Sequence, residues 1–157
     1  MWAGKHLSAE AEWEYAARGG LRGKQYSWGA GIGANGKQAR TYANYRGTST
    51  AGALLEIAKG KDKWDESTAP VGSLKQNGYG LYDVAGNAWE WCADWYHDDY
   101  FQIADKSDPK GPEYGTEKVV RGGSWFSNDV FCTVNRRYKL KPDYRDTNFG
   151  FRCVKDL

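Results

Sequence analysis

Residues 77–91 read Asn-Gly-Tyr-Gly-Leu-Tyr-Asp-Val-Ala-Gly-Asn-Ala-Trp-Glu-Trp, and this stretch decides the fold. Its first residues favour a turn, because asparagine and glycine adopt the backbone conformations that tight turns need. Its end alternates Trp89 and Trp91 with Glu90 and Cys92, which predicts a strand with one packed face. The stretch therefore indicates a glycine-rich loop that leads into a strand.

Two further strands are predicted towards the C-terminus. The strand at 119–125 is interrupted by Gly122 and Gly123, which indicates a bulge or a close backbone approach. A closing strand is expected at 149–154. Between them, residues 126–148 mix aromatic, short polar and arginine side chains, which are typical of adaptable contact surfaces. Because binding residues are often carried by loops on a rigid scaffold, we expect a ligand here.

One helix is predicted with clear boundaries, at residues 8–18. Ser8 is a candidate N-cap, two glutamates in the first turn favour the helix dipole, and Gly19 is suited to the helix end. Glu14 and Arg18 are spaced to form an ion pair. A second, short helical segment is expected at 52–61.

The composition is that of a loop-rich globular domain. The 157 residues include 20 Gly, 8 Trp, 11 Tyr and 5 Phe, with 40% hydrophobic and 27% charged residues. We expect Trp89, Trp91, Trp95 and Trp125 to form the core, because large rings can hold loops together. The net charge of +2 offers no basic field for nucleic acid, and no apolar run could span a membrane. With no apolar signal segment at the start, a cytoplasmic location is the default expectation.

The three cysteines, Cys92, Cys132 and Cys153, do not form a metal-binding pattern. No two of them have CxxC spacing, and His6 and His97 lie far apart, so a structural zinc site is not expected. At most one internal disulfide could form, which leaves the redox compartment open.

Six motifs together resemble the formylglycine-generating enzyme (sulfatase-modifying factor) family. The resemblance implies an α+β, C-type-lectin-like fold that is loop-rich, with few short helices and antiparallel strands. It runs through nearly the whole chain, implies a single domain at 1–157, and implies that the N-terminal part of the family domain is missing. The motifs lie at 7–20, 26–29, 69–72, 77–91, 121–125 and 150–152.

The resemblance also implies where the family's copper chemistry would lie. The oxidases of the family use two cysteines, five residues apart, whose thiolates bind Cu(I). The corresponding positions here are Ser127 and Cys132. A serine hydroxyl is a hard donor and cannot replace a thiolate, so bound copper is not expected. Cys132 is more simply a small buried hydrophobic residue. The family partner of Cys153 would lie before residue 1, so Cys153 is expected to be a free thiol.

The loop before Glu90 could bind calcium. Ca²⁺ prefers carboxylate and carbonyl oxygens, which the side chains of Asp83 and Glu90 and the carbonyls of Gly86 and Ala88 could supply. The resemblance implies calcium here and at a second site. That second site would use the side chains of Asn44 and Asp62 and the carbonyls of Tyr45 and Trp64. The alternative for the first loop is an Asp-capped turn with Glu90 paired to an arginine.

Ten residues are the candidate ligand contacts of the 126–148 surface: Trp125, Phe126, Asn128, Asp129, Phe131, Asn135, Arg137, Tyr138, Tyr144 and Asn148. One interpretation is that this is the family's substrate cleft without its copper pair. The other is a resemblance to variable proteins of diversity-generating retroelements, although Lys139 and Lys141 cannot arise from the codons that such elements rewrite. Arginines of this region pair more often with local carboxylates, and Arg152 is expected to brace one.

The sequence therefore predicts a non-catalytic module that binds a protein or small-molecule ligand through residues 126–148. One alternative is an oxidase that converts a sulfatase cysteine to formylglycine. Another is an accessory fragment that acts only as a homo-oligomer or swapped dimer.

Overall fold

The computed structural model describes residues 4–31, 38–47, 63–64 and 67–155. Short helices and strands are connected by long loops, which confirms the α+β, loop-rich class. The elements are β1 (His6–Leu7), α1 (Glu10–Arg18), β2 (Trp89–Trp95), α2 (Tyr100–Ile103), β3 (Lys118–Arg121), β4 (Tyr138–Leu140), β5 (Phe149–Gly150) and β6 (Cys153–Val154). The expected helix at 52–61 lies outside the described residues. Within the described ranges, no helix has the length and apolar character required to cross a membrane.

A four-stranded sheet with the order β4-β3-β2-β5 forms the centre of the fold. β3 runs antiparallel to β2 and β4, whereas β5 runs parallel to β2, with Trp89 opposite Phe149. β1 and β6 form a separate antiparallel pair. The single closing strand expected at 149–154 is therefore wrong, because the chain leaves one sheet after Gly150 and joins the other at Cys153. The expected 126–148 loop likewise contains β4.

Gly122 and Gly123 end β3 for two physical reasons. Both have positive φ, at 94° and 75°, a region that side chains other than glycine rarely adopt. A Cβ on Gly123 would lie 2.8 Å from the Cys132 sulfur, and one on Gly122 would lie 3.2 Å from the Trp13 ring. The close backbone approach predicted from the sequence is thus present, and it brings the 124–132 segment against the core.

Helix α1 confirms the predicted helix but not its cap. Ala9 is the N-cap residue, and its N–H donates to the Glu12 carboxylate at 2.8 Å. Ser8 Oγ is buried without a hydrogen-bond partner, so Ser8 does not cap the helix. Gly19 ends the helix with φ 55°, and its N–H donates to the Ala16 carbonyl.

The C-terminal end of α1 is held by the first residues of the 77–91 stretch. The Asn77 amide donates to the carbonyls of Ala16 and Ala17 at 2.8 and 3.1 Å. Its Oδ1 accepts from the N–H groups of Tyr79 and Leu81. One buried side chain therefore stabilises both the helix end and the turn that precedes β2.

The core differs from the expected tryptophan core. Trp13 of α1 lies at its centre with Ala17, Val84, Cys92, Val119 and Val134. A second cluster contains Ala39, Ala43, Tyr45, Ala85 and Cys132. Of the four tryptophans assigned to the core, Trp89 is buried, while Trp91, Trp95 and Trp125 are half-buried.

A buried charge cluster joins α1 to β3 and the segment before β4. Arg121 is completely buried, and its guanidinium contacts Glu14, Glu10 and the Val134 carbonyl. Arg137 forms a bidentate pair with Glu10, at 2.7 and 2.9 Å. Because a buried charge without a partner is costly, these residues depend on one another.

Candidate functional site

The segment after β3 is held in place by residues far away in the sequence. The Arg46 N–H donates to the Ser127 carbonyl at 2.9 Å, and the Asp129 N–H donates to the Gly47 carbonyl at 2.9 Å. A short 3-10 turn at Asp129–Phe131 follows. These bonds fix the backbone around Ser127 and Cys132.

Ser127 uses its side chain for local hydrogen bonds. Its Oγ accepts from the Ser124 N–H at 3.0 Å and lies 3.0 Å from the Ser124 hydroxyl. The Ser124 hydroxyl also accepts from the Asn148 amide at 3.3 Å. Ser127 thus belongs to a small polar cluster that braces the start of the loop.

Cys132 lies beneath this segment as part of the core. Its side chain is 1% exposed, and its thiol donates to the Asn128 carbonyl at 3.7 Å. Burial, together with the charge of Asp129, raises the pKa of the Cys132 thiol well above its ordinary value. Burial and the Asp129 charge also raise the pKa of the neighbouring Tyr26 hydroxyl to about 12. The environment therefore favours a neutral thiol.

Aromatic side chains cluster on one face of β2. Trp89 packs against Phe131, Tyr138 and Phe149, with ring centroids 6.1, 5.5 and 6.5 Å apart. Tyr144 packs edge-on against Phe149 at 5.3 Å. Three of the predicted ligand contacts, Phe131, Tyr138 and Tyr144, are thereby brought to one surface.

A second group of rings lies at the start of the loop. Phe126 is 53% exposed and contacts Trp125, with ring centroids 5.5 Å apart. The Trp125 N–H donates to the Asn87 carbonyl, and the Asn148 carbonyl accepts from the Trp89 N–H, so this group lies beside the Trp89 cluster. We call the combined area the aromatic surface, made of Trp89, Trp125, Phe126, Phe131, Tyr138, Tyr144 and Phe149.

The other predicted contacts have different environments. Asn128 and Asn135 are exposed, Asn148 is half-buried, and Asp129 is buried. Arg137 is occupied by its pair with Glu10 and by the carbonyls of His97 and Asp98, so it is a structural residue rather than an available contact. Of the arginines of this region, Arg121, Arg137 and Arg152 pair with carboxylates, but their partners are glutamates of α1 and β2 rather than the aspartates of the loop.

The two predicted calcium loops lie side by side. Asn44 and Gly86 form a bridge between the two segments, and the Asn87 N–H donates to the Asn44 carbonyl at 2.7 Å. Oδ1 of Asn44 and Oδ1 of Asp83 are both buried without a hydrogen-bond partner. Asp62 lies outside the described residues.

Glu90 is paired to an arginine, as the alternative interpretation of the first calcium loop predicted. Its carboxylate accepts from Arg152 through both oxygens and from the Trp13 indole at 2.6 Å. The expectation that Arg152 braces a carboxylate is therefore confirmed. The described residues contain no cluster of three or more His, Cys, Asp or Glu side chains that could hold a metal, so carbonyl and amide oxygens would have to complete any site.

Two cavities lie outside the aromatic surface. One, of about 460 Å³, is lined by Leu7, Trp91, Lys118, Pro142 and Phe151 among others. A smaller one, of about 280 Å³, lies between α1 and β6 and includes Ser8, Trp13 and Cys153. Phe126, Tyr138 and Tyr144 of the aromatic surface are by contrast exposed to solvent.

Sequence reasoning missed two contributors to the aromatic surface. Arg46 lies over the Phe126 ring at 4.6 Å, and Phe149 joins Trp89 to Tyr144. Nothing in the sequence around Arg46 indicates that it lies at this surface, because its neighbour in space, Phe126, is far along the chain. Phe149 reaches this surface because β5 pairs in parallel with β2. A sequence pattern does not specify that pairing, so Phe149 could not be identified from the sequence.

A family model, the sulfatase-modifying factor enzyme 1-like domain, matches residues 1–157. The chain belongs to this family. The family's formylglycine-generating enzyme from Streptomyces coelicolor is 42% identical over 158 residues, which cover 99% of this chain and 48% of that protein. The inactive C-alpha-formylglycine-generating enzyme 2 of Bos taurus is 37% identical over 159 residues, covering 98% of this chain and 44% of its own length. The chain thus spans about half the length of these curated relatives.

Solved structures show the same relationship. Treponema denticola variable protein 1 is 34% identical with a TM-score of 0.72, covering 95% of this chain and 46% of that chain. PvdO from Pseudomonas aeruginosa is 28% identical with a TM-score of 0.68, covering 98% of this chain and 53% of that chain. The family resemblance drawn from the motifs is confirmed, whereas the C-type-lectin-like description stays a prediction.

The residues at the family's copper positions do not fit a copper-thiolate pair. Ser127 supplies a hydroxyl that is already hydrogen-bonded to Ser124, and Cys132 is a buried thiol with a raised pKa. Soft thiolate donors are what select Cu(I), and here one of the two is absent. The calcium positions fit in part, because Asn44 and Asp83 offer buried oxygens without partners, while Glu90 is shared with Arg152.

Proposed function

We propose that this chain is a non-catalytic member of the sulfatase-modifying factor family that binds a protein ligand through the aromatic surface. One observation carries the proposal: the Ser127 hydroxyl is a hydrogen-bonded brace of the loop, at the position where the oxidases need a reactive thiolate. A thiol is absent at this position, while the aromatic rings Phe126, Tyr138 and Tyr144 are exposed.

The exposed rings support binding by the same surface. Phe126, Tyr138 and Tyr144 are each more than 40% exposed, although aromatic rings are usually buried. Tyrosine and tryptophan contribute large contact areas at low conformational cost, and they dominate the central contacts of protein interfaces. An inactive relative and a neighbour described as a variable protein are compatible with this use of the fold.

A selection from a phage library of random dodecapeptides tests the proposal. Immobilised wild-type protein should enrich peptides, and synthetic copies should bind at least tenfold more weakly to Phe126→Ser and Tyr144→Ser. Tyr15→Ser is the matched control, because Tyr15 is 69% exposed on α1. If no peptide is enriched, or if the Tyr15 variant loses binding as much as the others, the proposal is wrong.

The oxidase alternative is favoured by the 42% identity to a formylglycine-generating enzyme. The decisive assay incubates the protein with Cu(I), oxygen and a Cys-x-Pro-x-Arg peptide and follows the aldehyde by mass spectrometry. We expect no turnover. Turnover that Cys132→Ala abolishes would overturn the binding-module proposal.

The finer proposal of retroelement diversification rests on the 126–148 loop and on the Treponema denticola variable protein structure. The nucleotide sequence decides it. A neighbouring reverse-transcriptase gene and a near-duplicate template of this loop would support diversification, and their absence from the locus would contradict it.

We also propose that calcium binds at the two predicted sites, one in the Asp83 loop and one in the Asn44 loop. The unpartnered oxygen of each site would be satisfied by its cation, since a buried acceptor without a donor costs about 1–3 kcal/mol. Addition of Ca²⁺ should raise the Tm of the wild-type protein, and Asp83→Ala should remove most of that increase. Asp98→Ala, at an exposed position, is the control. No calcium-dependent change in Tm and no heat of binding would contradict the proposal.

A further inference from the structure

Two arginines beside the aromatic surface have no carboxylate partner among the described residues. The Arg46 guanidinium lies 4.6 Å from the centre of the Phe126 ring, and that of Arg136 lies 4.9 Å from the centre of the Phe131 ring. Among the described residues, neither side chain forms an ion pair. Arg121, Arg137 and Arg152, by contrast, are each bound to a glutamate. Arg46 and Arg136 therefore keep their charge available.

Both guanidiniums lie over rings of the 126–131 segment. The Arg46 N–H bonds to the Ser127 carbonyl, and the 3-10 turn that carries Phe131 begins next to it. Phe131 in turn packs against Trp89 at the centre of the aromatic surface. The two cations thus each lie over one ring of the aromatic surface.

The charges elsewhere on the surface do not cancel these two. Asp129 is buried, whereas Asp146 is exposed and accepts from the Tyr144 hydroxyl and the Thr147 N–H. The exposed Lys141 and Arg145 are balanced by the exposed carboxylates of Asp143 and Asp146. Arg46 and Arg136 therefore leave the described part of this surface with a net positive charge.

We propose that the aromatic surface recognises an acidic peptide segment, in which Asp or Glu side chains lie next to an aromatic or aliphatic one. A guanidinium that lies over a ring is attracted to its face, while its five N–H groups can still donate to a carboxylate. The exposed rings provide the apolar contact beside it. This inference rests on the proposed binding function and adds the class of ligand.

A peptide is favoured by the number of exposed rings that the described residues bring to this surface. Phe126, Tyr138 and Tyr144 project from an open face, which suits an extended chain that contacts several rings in succession.

The test uses the dodecapeptides selected above. Enriched sequences should be rich in Asp and Glu, and a twin peptide with these residues replaced by Asn and Gln should bind at least about tenfold more weakly. The Arg46→Gln, Arg136→Gln double variant should lose about tenfold in affinity, and Arg46→Lys, Arg136→Lys should recover part of it. Arg22→Gln is the matched control, because Arg22 is an exposed arginine after α1.

The outcomes separate this inference from the function on which it rests. If selected peptides lack acidic residues and bind the double glutamine variant normally, but lose binding to Tyr144→Ser, the acidic ligand is wrong and the binding function stands. If no peptide is enriched, or if neither the aromatic variants nor the arginine variants weaken binding, both the acidic ligand and the binding function are overturned. Thermal melting of each variant confirms that it folds, so that a loss of binding reports the surface itself.

Discussion

At the scale of single residues, the structure depends on glycines at which the backbone comes close to another segment. Gly86 has φ 72°, and a Cβ added to it would lie 2.1 Å from the Asn44 carbonyl oxygen. This contact joins the two loops proposed to bind calcium, and it explains why the turn before β2 needs glycine at this position. Sequence analysis placed Gly86 in the loop before Glu90 as a candidate calcium ligand, but its neighbour in space could not be inferred from local pattern.

We expect Gly86→Ala to destabilise the protein by about 2–5 kcal/mol, from backbone strain of about 1–2 kcal/mol and a clash of similar or larger size. Gly72 is the matched control, because it has φ 76° and no atom within 4 Å of an added Cβ. Gly72→Ala should lower the free energy of unfolding only by the backbone strain of a positive φ, about 1–2 kcal/mol. Urea unfolding of both variants measures the difference, and equal losses would show that the Asn44 contact contributes nothing.

A second prediction at this scale concerns Asp94. Burial raises the pKa of Asp94, whose Oδ2 accepts from the Glu10 N–H at 2.6 Å. The folded state therefore binds this proton more tightly than the unfolded chain does. Part of the stability is accordingly present below about pH 4 and is lost as the pH rises through the folded pKa.

The Asp94→Asn variant should remove this contribution while keeping an oxygen for the Glu10 N–H. Its free energy of unfolding should thus fall less steeply between pH 4 and neutrality than that of the wild type. Guanidinium unfolding at a series of pH values measures the slope. Asp105→Asn, at an exposed position, should leave the slope unchanged. If the free energy of unfolding fell more steeply with pH in the Asp94→Asn variant than in the wild type, the pKa of Asp94 would not be raised by folding.

At the scale of elements, local signals predicted α1, its glycine end and β2, because their side-chain periodicities are visible in the sequence. The division of 149–154 between two sheets was missed, because only the pairing partners of Phe149 and Cys153 distinguish the two short strands. β4 was missed for the same reason: Tyr138–Leu140 is a strand by virtue of its pairing with β3. The expected tryptophan core was wrong for Trp91, Trp95 and Trp125, which are half-buried, whereas Trp13 of α1 packs in the core cluster.

The joint between α1 and the 77–91 loop gives the prediction at this scale. Asn77→Ala would leave two helix carbonyls and two loop N–H groups without their partner, so we expect a loss of about 2–3 kcal/mol. Asn77→Asp keeps the acceptor for the loop but loses the donor to the helix, so its loss should be intermediate. Hydrogen exchange should show faster exchange at the C-terminal turn of α1 in both. Unchanged exchange there would show that Gly19 alone ends the helix.

At the scale of the whole molecule, the three cysteines report the integrity of the fold. Cys92 and Cys132 are each 1% exposed and lie in different core clusters, whereas Cys153 is an exposed free cysteine on β6. Burial raises the pKa of both buried thiols, and thiolates are the species that react with disulfide reagents. The two buried thiols are therefore protected from disulfide reagents, because the reagent cannot reach them and because they stay protonated.

We expect one thiol per chain to react rapidly with Ellman's reagent at pH 8 in the native protein, and all three to react after unfolding in guanidinium. Cys153→Ser should remove the rapid phase and leave two slow thiols, whose rates report the opening of the two core clusters. If both slow thiols react at one rate that falls as the protein is stabilised, the clusters open together as a single cooperative unit. If Cys132 reacts well before Cys92, the loop beneath the aromatic surface opens on its own, and the rigid support on which both binding proposals depend would be contradicted.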